Sequence, residues 1–553
     1  MLPRRLVLFV GLALGAAGAQ QAETPRLFTR ADTLRGSNGP ARSWWDATFY
    51  DLHVAVSPTD SSIRGRNAIT YRVLDAAREM QIDLQVPMQI DSIIQDGKRL
   101  TFRRDSNAFF VTMPGQRAGE TRKVTVFFHG KPRAAKRPPW DGGFIWATDS
   151  LGNRFIATAN EGLGASVWWP NKDIPSDEPD SQRVAITVPD SMTDVSNGRL
   201  RSVTKNSDGT TWEWFVSSPI NNYSVAVNAG RYAHFTDYYA GERGMLTMDY
   251  YPLAIHEDTA RVQFRQSLPM MRCFEHWFGP YPWYSDGFKL VEAPHLGMEH
   301  QSAVAYGNKY KNGYLGRDRS NTGRGLKWDF IIVHESAHEW WGNSISAKDH
   351  ADMWIHESFA NYAESLFTEC LEGKKAGAEY VIGSRAGIRN DRPVIGQFGV
   401  NDQGSGDMYP KGGAVLHMIR TILGDDEKWR SILRGANATF WHQAITGDQL
   451  RAFINTKAGV DFSRVFEQYQ TTTKIPVLEY RVDATKLSVR WTNVVDGFDM
   501  PVDVAASSSP EAFRRIHPTT RWSSVQAPAL AATDSLVVDP NFYVEVRRSS
   551  VLP

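Results

Sequence analysis

His334-Glu335-Ser336-Ala337-His338-Glu339-Trp340-Trp341-Gly342-Asn343 is the stretch on which the reading of this 553-residue chain turns. On a helix, residues four apart share a face, so both imidazoles can reach one metal ion. Glu335, beside the first histidine, can take a proton from a metal-bound water. A catalytic zinc also needs a third protein ligand and an open position. The extended pattern that supplies a third histidine fails here, because Trp341 and Ser344 stand where Gly and His are required. A carboxylate from a second helix is the alternative. Glu357 follows His338 by nineteen residues, room for a helix end near Gly342-Asn343, a loop and a returning helix. Asp349 and Asp352 compete for the role but fall in the loop. Glu364, two turns beyond Glu357 on the same face, suits a place behind the ligands. His356 reads as a packing residue. The competing reading is a solvated helix that happens to carry two histidines.

Upstream of this stretch the period is two. Leu52, Val54 and Val56, then Ile69, Tyr71 and Val73, then Ile82, Leu84 and Val86, then Val124, Val126 and Phe128 alternate with polar neighbours. Turn clusters at 57–60 and 96–97 separate them, which predicts an antiparallel β domain over 44–235. From 236 to 475 the spacing is mostly helical. Phe264, Leu268, Met271 and Phe278 lie on one face, and further helices are expected around 326–343, 354–372, 413–423 and 448–456, with Gly424 as a C-cap. Strand alternation returns over 476–553, predicting a small β-sandwich-like domain. The fold class is α+β, multidomain.

Composition is that of a globular protein with more than one core: 42% hydrophobic, 22% charged. Lys plus Arg is 62 against 61 acidic residues, so no bulk field points to nucleic acid or to an anionic membrane. Residues 1–19 read as a secretory signal peptide: Arg4 and Arg5, an apolar run over 6–17, then Ala17-Gly18-Ala19. Export to the periplasm or the medium is expected, with no stable membrane span after cleavage. Residues 20–43 read as a loose polar lead-in. The two cysteines, Cys273 and Cys370, are too few for a Cys-rich metal site, and they pair or stay apart with equal licence from the sequence.

Residues 334–343 (HESAHEWWGN) and 354–364 (WIHESFANYAE) resemble the aminopeptidase N family of zinc metallopeptidases, gluzincins that hold the metal with two histidines and a glutamate. The resemblance implies one Zn2+ per chain on His334, His338 and Glu357, with Glu335 as general base, in a thermolysin-like catalytic domain. Residues 294–301 (PHLGMEHQ) are similar to the family's G-x-M-E-N motif. That puts Gly297 and Met298 on the substrate edge and Glu299 on the substrate's free amine. His300 departs from the motif's Asn, and Leu296-Gly297 stands where Gly-Ala is common. Glu161, nine residues before Pro170 in a Pro-x-x-Asp element closed by Asp173, matches a second amine-binding carboxylate. Tyr409, in YPKG, matches the Y-x-K-G tyrosine that donates to the developing oxyanion. The similarity runs over about 45–480, more loosely beyond. It implies a short form without the family's large helical C-terminal domain, its site more open or covered by a partner subunit.

The function so implied is removal of N-terminal residues from peptides with a free amine, recognised by carboxylates beside the scissile bond. Three alternatives are weighed against it. They are a zinc endopeptidase, an epoxide hydrolase of the kind one family member is, and a non-catalytic peptide-binding scaffold.

Overall fold

The computed structural model describes residues 27–483, 486–525 and 534–549. The leader expected over 1–19 lies outside them. Long strands Trp45–Ser57, Ser62–Val73 and Thr121–Gly130 bury alternate residues, and Leu52, Val54, Ile69, Tyr71, Val124, Val126 and Phe128 share one core with Trp168 and Trp169. These strands are the centre of an eight-stranded sheet. One feature departs from the expected antiparallel domain: Trp45–Ser57 pairs in parallel with Ser181–Val188, in register Phe49 to Ser181. The third predicted strand is shorter than its alternation suggested. It ends at Asp83, because the chain turns before the cis bond Val86-Pro87 and Val86 is exposed.

The catalytic region opens with a five-stranded sheet that the helical pattern did not announce, in the order Phe235–Gly241, Gly244–Tyr251, Phe288–Glu292, Val304–Tyr306, Gly297–Met298. Its inner pairs are parallel and Phe288–Glu292 is buried throughout, so that strand shows no alternation, whereas Gly244–Tyr251 does alternate, burying Leu246, Met248 and Tyr250, a signal that the helical reading passed over. Helices then follow. Trp354–Glu372 and the Gly424 αL cap agree with the spacing. Helix Phe330–Ala337 is shorter than expected. After it the chain widens into turns in which Asn343 N reaches His338 O and Ser344 N reaches Glu339 O. Cys273 and Cys370 form a disulfide that ties helix Ser267–Phe278 to the end of Trp354–Glu372, settling the pairing that the sequence left open.

The C-terminal part forms two small sheets, of four and three strands, whose Leu478, Val489, Trp491 and Val504 belong to the same core as the catalytic helices. Arg385 donates to three carbonyls at Pro540, Asn541 and Phe542, fixing the two parts to each other. Among the described residues no helix is long and apolar enough to cross a membrane.

The lead-in is the clearest correction. Residues 27–43 are docked, not loose. Helix Arg30–Gly36 carries a capping box at Thr29, and Arg42 is fully buried against Asp83. A Cβ on Gly36 would lie 2.1 Å from the Val400 carbonyl carbon, so the helix abuts a catalytic-domain loop.

Candidate metal centre and amine pocket

His334 and His338 leave helix Phe330–Ala337 and its C-cap on one face, and Glu357 comes from the first turn of Trp354–Glu372. Glu357 Oε2 lies 3.6 Å from His334 Nε2 and 3.5 Å from His338 Nε2. All three residues are buried. Each ring is held from behind. His334 Nδ1 is 2.8 Å from Glu364 Oε1, and His338 Nδ1 is 2.9 Å from the Trp341 carbonyl. Both partners only accept, so each Nδ1 carries the hydrogen and each Nε2 presents a lone pair. The His334 ring also stacks between Phe330 at 5.2 Å and Tyr409 at 5.9 Å.

This arrangement fits Zn2+. Glu357 Oε2 is buried without a hydrogen-bond partner, facing two imidazole lone pairs, which is the donor set of a catalytic zinc site. Without a cation the centre takes protons instead. Burial disfavours a charged His338 ring, yet the Glu357 carboxylate outweighs it and holds the imidazolium up at about 9. A bound metal requires neutral imidazoles, so metal loading releases protons. Another grouping of donors, Glu161, Glu299 and His356, is less suited. His356 Nε2 already accepts from Ala347 N at 2.9 Å, in agreement with its reading as a packing residue. Asp349 and Asp352 accept backbone N–H groups in the connecting loop and stay off the metal site.

Glu335 and Glu299 offer oxygens within 4.8 Å of each other and of a His338 nitrogen. Gly297 lies on the short edge strand Gly297–Met298, paired with Tyr306. A Cβ there would stand 2.8 Å from Glu335 Oε1, so any side chain would crowd the carboxylate that is to move the proton. Met298 lines the same cavity. Glu299 is buried. Tyr223 donates to its Oε1 at 3.0 Å, and Asn343 Nδ2 donates to its backbone carbonyl at 2.8 Å. His300, at the position of the motif's Asn, is buried with both ring nitrogens unpartnered, and burial pushes its pKa down to about 3.

Glu161 comes from the N-terminal domain, and its carboxylate meets Glu299 within 4.8 Å. Its Oε1 is out of solvent with no partner. Burial first and Glu299 second push its carboxyl well above the usual range. Two carboxylates at this distance, one unsatisfied, call for a cation between them. The loop that carries Glu161 is set by Asp173, which accepts from Ser166 N and Oγ. Arg35 sets it too, donating to the carbonyls of Glu161 and Gly162 at 3.1 and 2.9 Å. Tyr409 donates to Glu357 Oε1 at 2.7 Å. Burial and the Glu357 carboxylate keep its phenol protonated, hence a donor.

The structure thus brings His334, His338, Glu357, Glu335, Tyr409, Gly297, Met298, Glu299 and Glu161 to one cavity and leaves Asp349 and Asp352 out of it. It adds Tyr223, Arg35, Asn343 and Tyr380, the last donating to Glu364 Oε2 at 2.6 Å. Apart from Asn343, which closes the quoted motif, none carried a local signal. They act through contacts far along the chain.

Fold and centre together present a His-Glu-x-x-His helix faced by a distal glutamate, a donor set suited to zinc. Within this chain residues 263–469 match the Peptidase family M1 domain, and the chain is similar to aminopeptidases N. It is 28% identical over 216 residues to aminopeptidase N of Lactobacillus helveticus, covering 35% of this chain and 25% of that protein. Identity to aminopeptidase N of Lactococcus lactis subsp. lactis is 22% over 464 residues, covering 78% and 52%. The chain spans about half, or less, of the length of these curated relatives. An M1 zinc metallopeptidase from Deinococcus radiodurans superposes with a TM-score of 0.67 at 21% identity, over 79% of this chain and 95% of that one. A variant of that metallopeptidase bound to a Tyr-Ser-Ala substrate gives 0.66 at 21%, over 80% and 98%. These likenesses show a shared fold.

Proposed function

We propose that this protein is a zinc-dependent aminopeptidase that removes the first residue of peptides with a free N-terminus. The observation that carries the reading is the pair of half-buried Glu161 and buried Glu299 beside the metal ligands, with Glu161 Oε1 out of solvent and unpartnered. An α-ammonium is the cation that satisfies both while leaving its own peptide bond next to Glu335. Bound Zn2+ supplies Lewis acidity and an activated water. Glu335 accepts the proton of the attacking water and returns it to the leaving amine. Tyr409 turns its hydroxyl from Glu357 to the carbonyl oxygen as negative charge grows there. Glu299 and Glu161 hold the amine and so set which bond is cut. An endopeptidase has no use for two facing carboxylates at this place, and a scaffold has no use for a complete ligand set with its general base.

The test is an aminoacyl-anilide panel, each substrate free and N-acetylated, with and without chelator. Chelator-sensitive cleavage of the free amines alone is expected. Equal cleavage of the acetylated set would remove Glu161 and Glu299 as amine anchors. We also propose export, supported by the leader pattern over 1–19 and by the Cys273–Cys370 disulfide, which suits an oxidising compartment. N-terminal sequencing of secreted material should begin at Gln20; an intact Met1 in a cytoplasmic fraction would overturn this.

A further inference from the structure

The cavity over the metal centre has a volume of about 670 Å3. That is the size of a small-ligand site, not of a groove for a folded protein. Charges of both signs line it: the carboxylates of Glu161, Glu299, Glu335, Glu357, Glu364 and Asp318, and the guanidinium groups of Arg317, Arg319 and Arg389. None of these three arginines has an ion pair to a carboxylate among the described residues. Their neighbours do: Arg324 pairs with Glu372 and Glu379, and Arg392 with Asp402. Asp318, between Arg317 and Arg319, is spent on its own turn, accepting from Ser320 N, Ser320 Oγ and Gly323 N.

Glu299 and the arginines approach the metal-bearing helix through different residues. The edge strand with Glu299 meets the helix at Ile331 and Glu335, which a Cβ on Gly297 would touch. Arg319 meets it at Phe330, the residue stacked on His334. Tyr314 supports this side, with Arg319 at 4.9 Å and Arg317 at 5.7 Å from its ring. Arg389 lies by Gly406, whose Cβ would be 4.0 Å from its guanidinium, in the segment leading to Tyr409. A substrate with its amine at Glu299 and its first carbonyl at the metal therefore runs its remaining chain toward the arginines.

We propose that Arg317, Arg319 and Arg389 form a carboxylate-binding end of the cavity, which makes the substrate a short peptide held by both of its termini. This rests on the aminopeptidase reading and narrows it to peptides of about two to four residues. The length follows from reach. Arg319 Cζ is 5.9 Å from the Phe330 ring centre, itself 5.2 Å from the His334 ring centre, so the guanidinium is within about 11 Å of that imidazole. An extended chain advances about 3.3–3.6 Å per residue, so the terminal carboxylate of a chain ending one to three residues past the scissile bond meets the arginines. A guanidinium binds a carboxylate through two parallel hydrogen bonds, stronger here for being at the edge of a partly enclosed cavity.

The experiment uses the zinc-loaded full chain with Leu-Gly-Gly as free acid and as C-terminal amide. Leu-Gly-Glu amide and free-acid peptides of two to eight residues complete the set. The expected result is a kcat/KM about tenfold or more higher for the acid than for the amide, the worth of one charged hydrogen-bonded contact. The preference should fall toward unity in R317A/R319A and should weaken in R389A. Activity should drop with peptides longer than about four residues. Equal rates on acid and amide, or an unchanged preference in R317A/R319A, would overturn the proposal. So would a full rate on Leu-Gly-Glu amide, which would assign the arginines to acidic side chains and remove the length limit. Leucine anilide, which has no carboxylate, separates the two readings. Its cleavage with equal acid and amide rates sinks the carboxylate end alone, whereas failure on every substrate sinks the aminopeptidase reading.

Discussion

The metal half of the site and the amine half are built in opposite ways. His334, His338, Glu357 and Glu364 all fall within residues 334–364, on two helices packed against each other. Each ligand ring has its own hydrogen bond from behind. The amine half joins Glu161 of the N-terminal domain to Glu299 of an edge strand, and its supports, Tyr223 and Arg35, come from further segments still. One half is local and preorganised, the other assembled across a domain boundary and left short of a partner for Glu161 Oε1. The difference says that the metal centre should fail all at once, and the amine pocket by degrees.

His334→Ala breaks the local half, and the expected outcome is loss of zinc, read by metal analysis, together with all chelator-sensitive cleavage; retained stoichiometric zinc would contradict the ligand set. Next in size, Tyr409→Phe keeps the metal and lowers kcat by about 10²–10³, the cost of one oxyanion donor. An unchanged kcat would sink that role. In the amine half, Glu299→Ala should raise KM for free-amine substrates about ten- to hundredfold, as expected for one charged hydrogen bond. Arg35→Ala acts one step further out and should cost a few-fold in KM, about 1 kcal/mol. Its effect and that of Glu161→Ala should be non-additive in a double-mutant cycle; strict additivity would mean that Arg35 does not act through the Glu161 loop. Smallest for activity is the double replacement of Cys273 and Cys370 by serine. It should leave kcat alone while lowering stability by about 2–4 kcal/mol in thermal unfolding, because the cross-link closes a long loop of the unfolded chain.

Legibility in the sequence follows the same division. The His334–His338 spacing and the distance to Glu357 announce themselves because helical periodicity turns sequence spacing into shared faces. The long strands of the N-terminal domain were legible by alternation. The sheet that begins at Phe235 was only half legible: Phe288–Glu292 is buried throughout and does not alternate, but Leu246, Met248 and Tyr250 do and were passed over. The polar run over residues 27–43 looked like a linker because composition reports average solubility. It does not report that Arg42 finds Asp83 or that Arg35 finds the carbonyls at 161 and 162.

From its residues alone, the chain reads as α+β with two histidines on one helix face, a general-base candidate beside the first and a carboxylate ligand to follow, because strand and helix periods and the His334–His338 spacing are local. Tertiary structure alone decided that Glu161 meets Glu299, that the two cysteines pair, that Tyr223 holds the Glu299 carboxylate and that three arginines without an ion pair among the described residues border the same cavity. Each of those facts joins segments far apart along the chain. Only the packing of whole domains, not any local period, fixes such distances.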